Sequence, residues 1–252
     1  MHSLQIRKRK TKAAVSDGRL FFGEVKKVLT KRLAACAELD TGKGIACDVG
    51  TDHAYLAAEL LRSGRCTEVI ASDVAEGPLQ AAERTLRQAG LLSKAQLILS
   101  DGLMQVPSDG VTDVIIAGMG GETIIHILED CPWIKGEVNL ILQPMTKASL
   151  LREWLCGKGF DIHEERIVSE GKFFYTVIKA VYSGAIYTLS DFEKELGRPD
   201  WSDETVKEYG RFRLSHYRKL SQQMSAALPE AAEYYGKLAE ELAGKCSEEE
   251  DT

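Results

Sequence analysis

The sequence lacks the features that would tie it to a membrane, a metal or a disulfide scaffold. No apolar run among its 252 residues reaches the roughly 20 that a membrane-spanning helix needs. The first residues are polar and basic, so no apolar block of a signal peptide is present. The six cysteines are scattered and contain no C-x-x-C pair. This distribution fits reduced, buried thiols in a cytoplasmic protein better than disulfides or a metal site.

The chain also lacks the positive charge of a protein that coats nucleic acid. Its formal net charge is -6, although residues 1–50 hold eleven Lys or Arg against five Asp or Glu. A local basic patch can still bind RNA on an acidic chain, and a solvated basic tail is the alternative. We expect residues 1–22 to form a flexible basic extension and residues 246–252 an acidic tail.

Strand and helix patterns alternate through the middle of the chain. After an amphipathic helix over residues 24–39, strands are predicted at 45–49, 68–72, 96–100, 112–117 and 138–142. Helices are predicted between and after them at 53–63, 77–89, 122–129 and 146–158. Two last strands, at 161–169 and 173–182, are joined by so short a link that they must form an antiparallel hairpin.

This order predicts an α/β fold over residues 23–184: a Rossmann-like, seven-stranded sheet that is mostly parallel, with one antiparallel strand and helices on both faces. That layout is typical of class I S-adenosylmethionine-dependent methyltransferases. Residues 185–245 are different, with helices predicted at 190–196, 202–227 and 229–242. The two longer helices carry apolar stripes and are expected to form a coiled-coil-like hairpin, with the stripes as packing surfaces.

Polar residues and glycines at the ends of the first three strands predict a nucleotide-like ligand at the carboxyl edge of the sheet. Asp48 and Gly50 follow the first strand, Asp73 the second, and Asp101 and Gly102 the third. Gly50 permits a tight turn. Asp73 could accept hydrogen bonds from two ribose hydroxyls, but it would serve a nicotinamide dinucleotide equally well. Asp101 and Gly102 fit either an adenine contact or an ordinary turn.

The first loop distinguishes between these cofactors. A dinucleotide-binding enzyme needs G-x-G-x-x-G to hold a pyrophosphate, whereas this loop has a single glycine followed by Thr51, Asp52 and His53. A carboxylate repels a pyrophosphate and favours a sulfonium and an ammonium group. S-adenosylmethionine is therefore the expected cofactor.

The loops after strands four and five are expected beside the transferred methyl group. The first contains Gly118, Met119 and Gly120, and the second begins at Gln143. Neither contains the acidic-or-Asn-Pro-Pro-aromatic motif common in enzymes that methylate exocyclic amines of bases. Cys131 follows a later helix, which is a poor place for the nucleophile of a pyrimidine-carbon methyltransferase. A ring nitrogen, which needs positioning more than covalent activation, is the remaining simple base acceptor.

Together these motifs resemble one family, the bacterial tRNA (adenine-22-N1)-methyltransferases. The matching segments are Lys31-Arg32-Leu33 and residues 48–56, 117–121, 142–145 and 151–155. The resemblance covers about residues 25–183, and the trailing helices are similar to that family's helical domain. It implies an S-adenosylmethionine-dependent enzyme that methylates N1 of adenine 22 in the D-arm region of tRNA, with the helical domain gripping the tRNA.

The resemblance also suggests residue roles. Asp52 and His53 are expected to face the gap between cofactor and acceptor, and Tyr55 to stack on or orient the base; a helix N-cap, sheet-edge packing and a core tyrosine are the alternatives. The expected tRNA contacts are Lys31, Arg32, Gln143, Arg211, Arg213 and Arg218. No metal, membrane or obligate protein partner is expected. Methylation of another RNA or a small molecule, and a non-catalytic RNA-binding module of this fold, remain alternatives.

Overall fold

A computed structural model describes residues 29–247 of the chain. The predicted basic extension, the start of the leading helix and most of the acidic tail lie outside these residues. Helix α1 spans Lys31–Leu39. Leu29 and Thr30 precede it, and the prediction that they are helical was wrong because Thr30 is extended, with φ -61° and ψ 152°.

The strands form one seven-stranded sheet in the order β3-β2-β1-β4-β5-β7-β6. Their bounds are β1 Ile45–Val49, β2 Glu68–Asp73, β3 Ala95–Leu99, β4 Val111–Gly120, β5 Asn139–Thr146, β6 Phe160–Glu170 and β7 Phe173–Tyr182. Strand β7 runs antiparallel to β5 and to β6, and the other neighbours pair in parallel. The predicted mixed sheet with one antiparallel strand is confirmed.

Helices cover both faces of this sheet, as right-handed crossovers require. Beyond α1 these are α2 Tyr55–Ser63, α3 Glu76–Gln88, α4 Gly121–Glu129 and α5 Ala148–Gly157. Three more helices follow the sheet: α6 Asp191–Leu196, α7 Glu204–Met224 and α8 Pro229–Ser247. One core lies between the sheet and α1, α2 and α3, with Leu60 and Leu86 fully buried. The other lies under α4 and α5, around Ile124 and Leu155. No helix within residues 29–247 combines the length and apolar character needed to cross a membrane.

Strands β4 and β5 project further than predicted. The expected glycine loop at 118–120 continues β4, and the expected loop at 143–145 belongs to β5. The two extensions pair with each other. Met119 lies opposite Pro144 and Gly120 opposite Thr146, and the register of this pairing is irregular. This pairing holds residues that resemble a turn in the sequence as a bulged ribbon.

The start of α2 also differs from the prediction, beginning at Tyr55 rather than at residue 53. Asp52 and Ala54 have left-handed backbone, with φ of 47° and 55°. The residue before the helix is Ala54, and no side chain caps it. The alternative that Asp52 acts as the helix N-cap is therefore wrong.

The last two helices pack as a hairpin beside the β6–β7 edge of the sheet. Tyr217, Leu238 and Leu242 are buried in their shared core, which also includes Ile167 of β6. The predicted apolar stripes of the two helices therefore meet, and part of the sheet edge joins them.

A buried ion pair attaches this helical region to the sheet. Arg152 of α5 and Glu165 of β6 lie 2.7 Å apart, and each side chain is 1% exposed. Arg152 donates a further hydrogen bond to the carbonyl of Lys194 in α6 at 2.8 Å, and Glu165 accepts one from the backbone N–H of Arg198 at 2.6 Å. Charge-assisted bonds at full burial give this junction a defined geometry.

Candidate active site

The turn after β1 is held by hydrogen bonds from both sides. The Thr51 hydroxyl donates to the Asp48 carboxylate at 2.7 Å. The backbone N–H groups of Gly50 and Thr51 donate to the Ser72 carbonyl, at the end of β2, at 2.8 and 3.0 Å. Asp48 thus orders the loop. Because Asp48 is only 5% exposed, burial raises its pKa to about 6, against the opposing hydrogen bond from Thr51.

Gly50 brings this turn into contact with β4. Its φ is 72°, in the left-handed region that favours glycine, and an added Cβ would overlap the methyl group of Met119. The first and fourth strand ends therefore meet at one point, as the placement of their motifs predicts.

The ends of β2 and β3 place two further carboxylates at the same edge. Asp73 accepts a hydrogen bond from the Ala75 N–H at 3.0 Å, and Asp101 is exposed within a turn that continues through Gly102. Val74 and Met104, which lie next to these turns, are 69% and 63% exposed. The sequence interpretation named neither residue; Val74 directly follows the strand-end carboxylate Asp73, which was an available signal, whereas Met104 lies three residues after Asp101.

The catalytic candidates stand out from this edge. The side chains of Asp52 and His53 are 76% and 47% exposed, and Asp52 Oδ1 lies 3.6 Å from His53 Nε2. The His53 ring stacks on Tyr55, with centroids 5.4 Å apart and planes inclined by 28°. The left-handed residues at 52 and 54 turn the chain outward here, so the polar pair is open to an acceptor. The structure thus brings the three predicted residues together.

Two predicted tRNA contacts are instead internal supports. Gln143 is fully buried, and its Oε1 accepts hydrogen bonds from the Gly118 N–H at 3.1 Å and from Arg32 at 2.9 Å. The structure therefore contradicts a direct contact between Gln143 and tRNA. Arg32 also lies 3.8 Å from Glu170 and 5.9 Å from the centre of the Tyr175 ring. Its charge is directed into the fold, where it holds the β4 extension in place.

The predicted basic tRNA contacts on α7 also include both exposed and inward-pointing side chains. Arg211 and Arg218 are exposed, as is Lys31 on α1, although Arg211 pairs with Glu204 at 3.0 Å. Arg213 points inward: its guanidinium lies 3.1 Å from Glu195 and 4.7 Å from the centre of the Tyr217 ring. The expected phosphate contact of Arg213 is therefore corrected to a contact inside the helical region.

The residues at this edge suit a positively charged cofactor. Asp48, Asp73 and Asp101 bring three carboxylates to this edge of the sheet, and carboxylates attract a cation. Among residues 29–247, no group of three His, Cys, Asp or Glu side chains is arranged to hold a metal ion.

Comparisons with known proteins agree with this geometry. The sequence model of a methyltransferase domain family matches residues 29–178. The tRNA (adenine(22)-N(1))-methyltransferase of Bacillus subtilis is 35% identical over 153 residues, which cover 60% of this chain and 64% of that enzyme, slightly under two thirds of its length.

Solved structures match over more of the chain. A Streptococcus pneumoniae protein described as a candidate tRNA (m1A22) methyltransferase superposes with a TM-score of 0.78 at 30% identity, covering 87% of this chain and 100% of that one. Mycoplasma capricolum TrmK, bound to S-adenosylhomocysteine, superposes with a TM-score of 0.71 at 25% identity over 85% of this chain and 98% of its own. The fold, the strand-end motifs and these relatives agree, and the chain belongs to the TrmK-like family of methyltransferases.

Proposed function

We propose that this chain is an S-adenosylmethionine-dependent tRNA methyltransferase that forms N1-methyladenosine at adenine 22. The observation that carries the proposal is the exposed Asp52–His53 pair on a turn anchored by Asp48 and Gly50. That pair lies where β1 and β4 meet, which is the expected place for an acceptor. The matched relatives, with cofactor-bound structures among them, support the same activity.

The cofactor, when bound, supplies an electrophilic methyl group. Asp48, Asp73 and Asp101 are proposed to hold it through its ammonium group, ribose and adenine, with the backbone around Gly102 and Gly118–Gly120 lining the same site. Carboxylates at these positions attract the cofactor more strongly than its product, which has lost the positive charge of the sulfonium. The Arg32 guanidinium packs closely against Gly118, since a Cβ at that position would lie 3.3 Å from it.

The remaining residues are proposed to position adenine. The Asp52 carboxylate accepts a hydrogen bond from the exocyclic amine, which aligns the ring nitrogen and stabilises the positive charge that methylation creates. His53 and Tyr55 hold the plane of the base. Lys31, Arg211 and Arg218 are exposed and are proposed to contact tRNA phosphates. Because tRNA is the proposed substrate, we propose that the protein acts in the cytoplasm.

Methyl transfer from labelled S-adenosylmethionine to unmodified tRNA tests the proposal, with the product nucleoside identified and its position mapped. We expect N1-methyladenosine at position 22, and no product with a transcript that carries guanine there. Asp52→Ala should lower kcat about 100-fold with cofactor affinity unchanged. Cofactor binding without transfer to any tRNA would instead indicate another acceptor or a binding role. Turnover of Asp52→Ala within a few-fold of the parent chain would remove Asp52 from the mechanism.

A further inference from the structure

The β6–β7 hairpin ends in an exposed aromatic ring that the proposed chemistry does not use. Phe173 is the first residue of β7 and is 55% exposed. The exposed Lys172 precedes it, with its ammonium nitrogen 5.4 Å from the ring centre. An apolar ring beside a cation offers a flat face and a positive charge at one point of the surface.

The fold brings this ring to the edge of the candidate active site. Strand β6 is antiparallel to β7, which is antiparallel to β5, so the carboxyl ends of β5 and β6 share one edge of the sheet. Glu170, at the end of β6, is the cross-strand partner of Phe173. The hairpin tip is therefore at the edge that holds the methyltransferase motifs.

Side-chain contacts then connect the tip to the β4 extension. Glu170 lies 3.8 Å from Arg32, Arg32 donates to Gln143 at 2.9 Å, and Gln143 accepts from the Gly118 N–H at 3.1 Å. Phe173 thus lies at the same edge of the sheet as the expected acceptor site, with only β5 between its strand and β4, and its cross-strand partner Glu170 belongs to a network that reaches the β4 extension. Phe212 of α7 is also exposed, but its ring packs on Phe174 with centroids 5.6 Å apart and so belongs to the contact between β7 and the helical region.

We propose that Phe173 and Lys172 form a stacking platform for an unpaired nucleotide of the RNA substrate, beside the adenine that is methylated. This inference rests on the proposed function. Drawing the target base into the site unstacks its neighbours, and proteins receive such bases on aromatic rings. Lys172 supplies the positive charge for the adjoining phosphate. An apolar peptide would gain nothing from that cation.

Two substitutions separate stacking from simple apolar contact. Phe173→Leu keeps apolar volume without an aromatic face and should raise the Kd for tRNA about tenfold, whereas Phe173→Trp should bind at least as tightly as the parent chain. Cofactor affinity should be unchanged in both. Ile186→Ala is the control, since that side chain is 74% exposed and follows the carboxyl end of β7 at the opposite edge of the sheet; it should leave tRNA binding within twofold. Lys172→Ala should lower the slope of log Kd against log salt by roughly 0.7 to 0.9, and Phe173→Leu should leave that slope unchanged.

Fluorescence of the Phe173→Trp variant tests the platform without requiring methyl transfer. Its emission, after subtraction of the signal from the three native tryptophans, should change on titration with tRNA and with a short single-stranded oligoribonucleotide. A response without methyl transfer would support the platform and refute the proposed function. An emission unchanged at saturating tRNA, a dependence on protein concentration rather than RNA, or parent-like tRNA affinity in Phe173→Leu would each overturn the inference.

Discussion

Replacing Asp48 by asparagine should stabilise the protein at neutral pH while weakening its cofactor site. The Asp48 carboxyl is 5% exposed, and its burial raises the pKa from an ordinary 3.8 to about 6. A difference of about two units between the pKa of Asp48 in the folded chain and in the unfolded chain corresponds to about 3 kcal/mol in the free energy of unfolding. The buried carboxylate therefore costs stability whenever it is ionised.

The sign of this effect follows from where the proton is held. Below pH 3.8 the carboxyl is protonated in both the folded and the unfolded chain, and it contributes nothing. Between pH 3.8 and about 6 the unfolded chain loses the proton first, so the free energy of unfolding falls as pH rises. Above about pH 6 both states are ionised and the cost is constant. An asparagine avoids the cost throughout, and its amide oxygen can still accept the Thr51 hydroxyl.

Urea unfolding of both proteins at pH 4 and pH 7.5 measures the difference. Asp48→Asn should be about 1–3 kcal/mol more stable at pH 7.5, with a Tm higher by roughly 2–4 °C for each kcal/mol, and close to the parent chain at pH 4. Its affinity for S-adenosylmethionine should fall about tenfold because a charged partner is lost.

Asp40 provides a matched control at the opposite edge of the sheet. Burial, with a smaller contribution from Asp113, raises its pKa to about 6 as well. Asp40→Asn should therefore show the same pH-dependent gain in stability with unchanged cofactor binding. If Asp48→Asn were less stable than the parent chain at pH 7.5, or differed from it equally at both pH values, burial of charge would not be the dominant effect at Asp48.

Three further predictions test other parts of the structure. Gly50→Ala forces a side chain into left-handed backbone and should cost roughly 1–2 kcal/mol, seen as a lower Tm together with weaker cofactor binding. Arg152→Met leaves the buried Glu165 charge unpaired and should cost about 3–5 kcal/mol in urea unfolding, most of it recovered by adding Glu165→Leu. Arg218→Gln should lower the salt dependence of tRNA binding, by roughly 0.7–0.9 in log–log slope, whereas Arg213→Gln should weaken binding without changing that slope; equal slopes for the two variants would refute the inward role of Arg213.

The sequence was informative wherever a local pattern carries the physics. Periods of two and of 3.6 residues identified the seven strands and the helices, because burial of one face imposes them. The short link between β6 and β7 required an antiparallel pair. Carboxylates and glycines at strand ends predicted a shared edge, since parallel strands place their carboxyl ends together. These features need no knowledge of distant contacts.

Side-chain direction depended on contacts between residues far apart in the chain. Arg32 and Arg213 resemble surface cations in the sequence, yet Gln143 and Glu170 draw the first inward, and Glu195 draws the second. In the sequence the glycines of β4 resemble a loop, because the β5 residues opposite this segment lie about 25 positions further along the chain.

The sequence by itself determined that there are seven strands, that one of them is antiparallel, and at which edge of the sheet the candidate site lies, because those follow from hydrophobic periodicity and chain direction. Only the tertiary structure decided which charged side chains face solvent, that Asp52 and Ala54 adopt left-handed backbone, and that the exposed Phe173 ring lies at the same edge of the sheet as the candidate site. Each of these features depends on residues that are distant in the sequence and meet only when the chain has folded.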